Sequence, residues 1–320
     1  MKWKKLGKIF DPSQHQLANN CFGFAQSPQA LVFDKFVRIY FSARQKEEES
    51  GKVLSHISFV DFTKDFKEII QVSKDPVISL GNAGCYDEHG IFPLNVLQIN
   101  DNTIYGYIGG WNRRVSVPVD GAIGLAVSKD EGSTFQRIGN GPILSASYNE
   151  PFLVADPFVK KINDNFYMWY IFGSKWIKEG EDSLPERVYK IAQASSADGI
   201  NWTRNGKYII SDKLNNNECQ ALPTVFKSNE RYHMYFCYRQ AINFRASKDN
   251  GYKLGYAYSD DLVNWIRDDD QCGIETGTGN DWDSDMMCYP HTFECDGKIF
   301  MLYNGNEFGK HGFGMAVLEG

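Results

Sequence analysis

The sequence predicts an all-β protein, a five-bladed β-propeller, because it contains an internal repeat of nearly constant period and divides one copy of that repeat between its two ends. The repeated phrase is a polar turn followed by an aromatic residue and then Arg, as in SADGINWTR (196–204). Its aromatic positions are Phe66, Phe135, Trp202 and Trp265, so successive copies lie 69, 67 and 63 residues apart. A fixed period of this kind in a β-patterned chain is typical of propeller blades.

The N-terminus supplies the missing copy. Trp3-Lys4-Lys5 lies 63 residues before Phe66 and repeats the aromatic-x-basic pattern of Trp202-Thr203-Arg204. A β-patterned segment precedes each aromatic strand, and the fifth such segment, GFGMAVLE (312–319), stands at the C-terminus with no aromatic strand after it. We therefore expect one propeller domain over residues 1–320, its last blade closed by the N-terminal strand. A β-sandwich is the alternative, but it shares only the turn signals.

Each repeat also contains a hairpin, two apolar runs joined by a short polar turn, as in ADPFVKKINDNFYMWYIFG (155–173). Each unit thus has four strands. The hairpin turns carry ordinary turn residues and fall on one face of the ring. The opposite face receives the starts of the first strands and the ends of the second strands, and we expect the ligand there because functional groups gather where loops converge on a rigid scaffold.

Composition excludes several classes of partner. The net charge is -6, so no global basic field attracts nucleic acid or an anionic membrane surface. No apolar run approaches the ~20 residues needed to span a bilayer, and MKWKKLGKIFDP is not followed by an apolar stretch of signal-peptide length. We expect a cytoplasmic protein without a membrane span. The seven cysteines are odd in number and form no CxxC pair, so we expect free thiols.

The predicted working face is ringed by alternating acids and bases. The first strands of units two to five start on acidic residues, whereas the first unit has Gln26 and Gln29 at that place. The acids are Asp87, Asp156, Glu218 and Asp285, and His89 and His291 stand beside two of these strand starts. The second strands end on bases, amides and an aromatic residue, namely Arg44, Trp111, Arg113, Lys175, Arg239 and Asn304.

Carboxylates held close together in a half-buried mouth have their pKa values pushed apart, which leaves one as a general acid and another as a base, as glycoside cleavage requires. Arginines suit a carboxylate or phosphate on the ligand, because the planar fork binds such groups through two hydrogen bonds. Trp111 would stack on a sugar ring. Each acid also has a structural interpretation as a strand start, a turn cap or an ion-pair partner.

We expect no metal and no cofactor. Glu218 and Cys219 are neighbours in one strand and point to opposite faces, so they do not share an ion. A cation held by His89, His291 and a carboxylate is the alternative. The sequence contains no GxGxxG or GxxxxGK[ST] phosphate loop and no HExxH motif.

Three segments resemble the five-bladed propeller glycosidases of families 43, 32 and 130. They are Asp156-Pro157-Phe158, the run from Tyr86-Asp87 to Phe92, and Glu218-Cys219 with Pro223. The resemblance implies that Glu218 is the general acid, that Asp156 orients the sugar and tunes Glu218, and that Asp87 is the substitute base. The first-blade aspartate of those enzymes has no counterpart in FAQSPQ (24–29). The tail from Trp282 to Gly314 is similar to uncharacterised bacterial propellers from surface-polysaccharide loci.

These observations predict a carbohydrate-active enzyme that cleaves or transfers a glycosyl unit, with an anionic or phosphate-bearing sugar as its ligand. The alternatives are a glycosyltransferase-like synthetic enzyme that uses a sugar nucleotide and a non-catalytic sugar-binding propeller. The strand order makes one geometric prediction. Glu218 should point its carboxylate at the channel mouth, within reach of the ligand bound by Arg239.

Overall fold

The computed structural model describes residues 1–319, which form twenty β-strands and five 3₁₀ helices of three or four residues each. The predicted all-β class is therefore confirmed. No helix among the described residues is long and apolar enough to cross a membrane. The short helices are Pro12–Gln14, Ala18–Asn20, Lys248–Asn250, Asp269–Gln271 and Asn306–Gly309.

The strands fall into five antiparallel groups of four, here called units 1 to 5. Unit 5 begins with the first strand of the chain, β1 (Trp3–Phe10). Unit 1 contains β2 (Gly23–Val32), β3 (Phe36–Lys46), β4 (Val53–Thr63) and β5 (Ile69–Val72); unit 2 contains β6 (Gly90–Asn100), β7 (Thr103–Arg113), β8 (Val119–Ser128) and β9 (Gln136–Arg137). Unit 3 contains β10 (Val154–Ile162), β11 (Asn165–Ile177), β12 (Glu186–Ser196) and β13 (Thr203–Tyr208); unit 4 contains β14 (Glu218–Ser228), β15 (Arg231–Gln240), β16 (Lys253–Ser259) and β17 (Ile266–Arg267). Unit 5 is completed by β18 (Cys288–Cys295), β19 (Lys298–Asn304) and β20 (Phe313–Leu318).

Units 1 and 2 form one eight-stranded sheet because a single parallel bridge, Ser55 to Gly90, joins β4 to β6. The other three units are separate four-stranded sheets. The first strands contact one another in the order β2, β6, β10, β14 and β18, and β18 also contacts β2. Neighbouring units are packed together by apolar side chains, for example Tyr107 on Trp202 between units 2 and 3, and Phe41 on Phe313 between units 1 and 5.

The N-terminal strand completes unit 5, as the split repeat predicts. β1 pairs antiparallel with β20, with Trp3 opposite Leu318. The Trp3 side chain is 6% exposed, and its indole nitrogen donates a hydrogen bond of 2.8 Å to the Tyr235 hydroxyl of unit 4. Its ring also packs edge-to-face on Tyr235 and on Phe226. The first residues of the chain therefore join the last unit to its neighbour.

Every first strand contains a residue followed by proline at a break in the strand register. The pairs are Ser27-Pro28, Phe92-Pro93, Asp156-Pro157, Leu222-Pro223 and Tyr289-Pro290. Proline cannot donate to the strand ladder and is accommodated at a bulge, and a bulge re-aims the adjacent side chains. Four of the residues before proline have positive φ, 55° at Asp156 and 57° at Tyr289 among them. This repeat fixes five equivalent positions, of which only Asp156 carries an acid.

Candidate active site

A single cavity of about 760 Å³ opens where the five first strands meet, and side chains from all five units line it. It lies on the predicted working face, since the starts of first strands and the ends of second strands contribute to it. Its charged lining residues are Arg44, Asp120, Asp156, Arg187, Arg239, Arg245, Glu307 and Lys310. We call this space the central cavity.

Asp156 is the buried carboxylate of the central cavity. Its side chain sits on the bulge of β10 and is 5% exposed, and Oδ2 accepts a hydrogen bond of 3.2 Å from the backbone N–H of Leu222. Burial raises the pKa of Asp156 to about 7, although the Leu222 N–H and the charge of Arg187 act in the opposite direction. A carboxyl group with such a pKa gives up or takes a proton readily near neutral pH.

Arg239 lies against the cavity as a buried cation without a carboxylate partner. It is 1% exposed and donates hydrogen bonds of 2.8 and 3.3 Å to the carbonyl oxygens of Gln240 and Ala241, and one of 2.8 Å to the Tyr189 hydroxyl. Its guanidinium lies 3.5 Å from the centre of the Phe244 ring. Neutral acceptors and aromatic faces therefore hold it in place and leave its charge uncompensated within residues 1–319.

Two further arginines lack an acidic partner in the described part of the chain. Arg44 donates to Gln26 Oε1 at 2.7 Å and to Ser55 Oγ at 2.9 Å, and burial lowers its pKa. Arg187 approaches the Tyr189 ring at 6.0 Å and makes no side-chain hydrogen bond or ion pair there. The remaining charged groups form the ion pairs Asp120–Arg114, Glu307–Lys310 and Arg245–Glu186. The cavity thus combines one unpaired acid with three unpaired arginines.

Aromatic side chains cover much of the cavity wall. The hydroxyls of Tyr189 and Tyr252 are 2.6 Å apart, and burial raises the pKa of Tyr189 to about 12. Tyr252 packs edge-to-face on Tyr289 at 5.5 Å between ring centres, and Tyr289 packs on Phe92 at 5.2 Å. The other aromatic lining residues are Phe22, Phe24, Trp111, Phe244 and Phe308.

The predicted position of Glu218 is corrected by its contacts. The side chain has no exposed surface and does not line the cavity, because its carboxylate turns toward the outer strand of its own unit. Oε1 accepts from Arg267 at 2.6 Å, and Oε2 accepts from the backbone N–H groups of Lys213 and Leu214, both at 2.9 Å. Glu218 and Arg239 therefore do not meet at one ligand.

Asp87 also lies outside the cavity, for the same reason. Its carboxylate is fully buried and forms an ion pair with Arg137 of β9, with Nε to Oδ2 at 2.8 Å. This pairing recurs in four units and joins an acid at or shortly before the start of the first strand to a base on the outer strand. The pairs are Asp87–Arg137, Glu150–Arg204, Glu218–Arg267 and Asp283–Lys5. The basic residue of the repeated phrase is thus the partner of the acid at or shortly before the start of the first strand.

The remaining predicted residues divide between the cavity and other places. Trp111 lines the cavity, and His89 stacks on its ring at 6.1 Å while accepting the backbone N–H of Arg113 at 3.3 Å. Arg113 itself pairs with Glu47 at 3.4 Å, outside the cavity lining. Lys175 does not line the cavity either.

Three residues of unit 5 are also displaced from the predicted site. Asp285 is exposed and pairs with Lys248 at 3.1 Å. His291 is buried between the rings of Phe158 and Phe293, and burial lowers its pKa to about 3. Asn304 is fully buried and is engaged by backbone groups, which leaves no side-chain amide for a ligand. Neither histidine lies in a cluster of three or more metal-ligating residues within the described chain.

Sequence reasoning missed Arg187, Tyr189 and the phenylalanines of the cavity. Arg187 and Tyr189 alternate on β12, the third strand of unit 3, and third-strand starts had not been assigned to the working face. A usable signal was present in the five X-Pro pairs, because they mark the equivalent bulges and bring Phe92, Asp156 and Tyr289 to the cavity.

No protein-family model matches the chain. Two Mycobacterium tuberculosis proteins, Uncharacterized protein MT1551 and Uncharacterized protein Rv1502, are each 32% identical to it over 321 aligned positions that cover 100% of both chains. A solved glycoside hydrolase superposes with a TM-score of 0.74 at 17% identity, covering 99% of this chain and 93% of the other. A β-1,2-mannobiose phosphorylase from Listeria innocua superposes with a TM-score of 0.67 at 15% identity, covering 98% of this chain and 96% of the other. A thermostable family-43 glycoside hydrolase superposes with a TM-score of 0.60 at 16% identity, covering 94% of this chain and 91% of the other. The chain therefore belongs to the family of the two mycobacterial proteins and has the β-propeller fold of glycoside hydrolases from families 43, 32 and 130.

Proposed function

We propose that the protein is a carbohydrate-active enzyme that transfers a glycosyl unit between a phosphate group and a sugar hydroxyl, with Asp156 as its acid and base. The observation that carries this proposal is the charge arrangement of the central cavity. One buried carboxyl with a pKa of about 7 lies among three arginines that have no acidic partner in residues 1–319. The glycoside hydrolases and phosphorylases that share the fold support the general class of reaction.

The proposal includes a closed ring of five blades, one for each unit. The cyclic contacts of the first strands and the packing of unit 1 against unit 5 support it. A closed ring explains why five separate units contribute to one cavity, since each presents its first strand to a common axis.

A single free carboxyl favours phosphate as the second chemical partner. Hydrolysis of a glycoside by the usual route needs two carboxyl groups, about 5–5.5 Å or 6.5–9.5 Å apart. The other acids of the cavity, Asp120 and Glu307, form ion pairs with Arg114 and Lys310. Phosphate replaces the second carboxylate as nucleophile in the cleavage direction, and Asp156 protonates the departing sugar oxygen.

The same groups serve the synthetic direction. The bond between the anomeric carbon and the phosphate oxygen breaks, and its electron pair leaves with the phosphate. A sugar hydroxyl forms the new bond to carbon and gives its proton to ionised Asp156. The arginines stabilise the charge of the departing phosphate, because a guanidinium donates two parallel hydrogen bonds to phosphate oxygens.

The test is turnover of a panel of α- and β-glycosyl 1-phosphates with sugar acceptors by the wild-type protein and by Asp156→Asn. The amide keeps the shape of the carboxyl but cannot exchange the proton, so we expect kcat to fall by about 100-fold or more. Asp120→Asn, a second acid of the same cavity, is the matched control and should retain activity. Equal turnover by wild type and Asp156→Asn would refute the role of Asp156.

A further inference from the structure

Among the side chains that line the central cavity, amides and small hydroxyl groups are scarce. Gln26 is its one side-chain amide, and both ends of that amide are occupied. Its Oε1 accepts from Arg44 at 2.7 Å, and its Nε2 donates to the carbonyl oxygen of Phe308 at 2.6 Å. No Ser, Thr, Asn or His side chain lines the cavity within residues 1–319.

Aromatic rings take the place of those polar groups. Nine of the lining residues are Phe, Tyr or Trp, of which four are buried and four are partly exposed. Phe22 differs because its side chain remains 58% exposed at the edge of the cavity. It packs edge-to-face on Phe24 at 5.9 Å, which leaves ring surface of Phe22 open to solvent. An exposed ring of this kind is suited to stack on a flat aromatic group of a ligand.

A cation lies directly beside this aromatic pair. The guanidinium of Arg44 is 5.9 Å from the centre of the Phe24 ring and has no carboxylate partner in the described residues. Arg187 has no side-chain partner there either, and its charge acts on Asp156 deeper in the cavity. The cavity thus contains an open aromatic ring at its edge, an arginine without a carboxylate partner beside the Phe22–Phe24 pair, and a buried acid near a second such arginine.

We propose that the phosphate-bearing substrate is a nucleoside diphosphate sugar, with its base on Phe22 and Phe24, its diphosphate on Arg44 and its glycosyl unit at Asp156. This assignment rests on the proposed function and specifies its donor. The bond from the anomeric carbon to the distal phosphate breaks, and the electron pair leaves with the nucleoside diphosphate. The acceptor hydroxyl oxygen forms the new bond to carbon, and its proton passes to Asp156.

Isothermal titration with UDP-glucose, GDP-mannose, UDP, GDP and glucose 1-phosphate tests the assignment. We expect a nucleotide to bind at least about 10-fold more tightly than glucose 1-phosphate, because stacking of a base on an aromatic ring adds to the phosphate contacts. Phe22→Ala should weaken nucleotide binding by about 10-fold and leave glucose 1-phosphate unchanged. Tyr148→Ala is the matched control, since Tyr148 is 91% exposed and does not line the cavity.

Arg44→Met provides a second variant and should weaken both nucleotides and glucose 1-phosphate. Equal affinity for glucose 1-phosphate and the nucleotides, or a nucleotide affinity that Phe22→Ala leaves intact, would overturn the assignment. So would binding of polyprenyl phosphate in place of nucleotides, with Phe22 then contacting an aliphatic chain.

The outcomes also separate this assignment from the proposed function. Asp156-dependent turnover of glucose 1-phosphate without nucleotide binding would refute the nucleoside diphosphate donor and support the proposed reaction. Nucleotide binding that depends on Phe22, without transfer from any nucleotide sugar to any acceptor, would support the nucleotide as ligand and refute the proposed reaction.

Discussion

Replacement of Glu218 by Gln should destabilise the fold and leave glycosyl transfer in the central cavity close to that of the wild type. The Glu218 side chain has no exposed surface, and its partner Arg267 is 6% exposed, so the substitution removes one charge of a buried ion pair. Loss of one partner from such a pair ordinarily costs about 3–5 kcal/mol. We expect the low end, about 3 kcal/mol, because Arg267 keeps Asp269 at 3.0 Å and the amide oxygen can still accept from the Lys213 and Leu214 N–H groups.

Urea titrations of wild type, Glu218→Gln, Arg267→Met and the double variant measure this prediction. The double variant should be less destabilised than the sum of the two single variants, because neither Glu218 nor Arg267 is then left as a buried charge without its partner. Glycosyl transfer by folded Glu218→Gln should remain close to that of the wild type. A variant as stable as the wild type but without turnover would show that Glu218 acts on the substrate and that the structural role argued here is wrong.

Three further predictions concern stability. Trp3→Ala should lower the free energy of unfolding by about 3–5 kcal/mol, because it removes a buried ring and its hydrogen bond to Tyr235; an unchanged urea midpoint would contradict the role of β1 in joining units 4 and 5. Asp156 has a pKa of about 7 when folded and 3.8 as its ordinary value, so its contribution to stability falls as pH rises from about 4 to 7. Asp156→Asn should therefore gain up to about 4 kcal/mol relative to wild type between pH 4 and pH 8, and a constant difference would refute the raised pKa. Burial lowers the pKa of His291 from 6.5 to about 3, so the free energy of unfolding decreases as pH falls through that interval. In urea titrations at pH 4 to 7, His291→Gln should make this decrease smaller.

The strands and their grouping were accessible from the sequence because their signals are local. Polar turns, apolar alternation and a fixed period mark each unit wherever it lies in the ring. The pairing of β1 with β20 followed from the split copy alone, since Trp3 supplied the aromatic residue that the last unit lacked. Asp156 and Arg239 were placed in the cavity correctly, because strand starts and strand ends of a hairpin fall at defined ends of the sheet.

The destination of the other acids was not accessible in this way. Glu218 and Arg267 are 49 residues apart, and their contact depends on the outer strand folding back over the segment that enters the unit. In the sequence, the basic residue of the repeated phrase is only part of a turn pattern, although in the fold it is the partner of Asp87 in one unit and of Glu218 in another. Arg187 was missed because the third strand of unit 3 also contributes to the cavity, and the period of the repeat does not indicate that contribution.

The role of Asp156 is tested by a side-by-side measurement of glycosyl transfer by wild type, Asp156→Asn and Glu218→Gln, each first shown to be folded and to bind the same donor. The arrangement of the cavity predicts that Asp156→Asn binds the donor and fails to turn it over, while Glu218→Gln binds it and remains active. An active Asp156→Asn variant beside an inactive, folded Glu218→Gln variant would show that Glu218, and not Asp156, acts on the substrate.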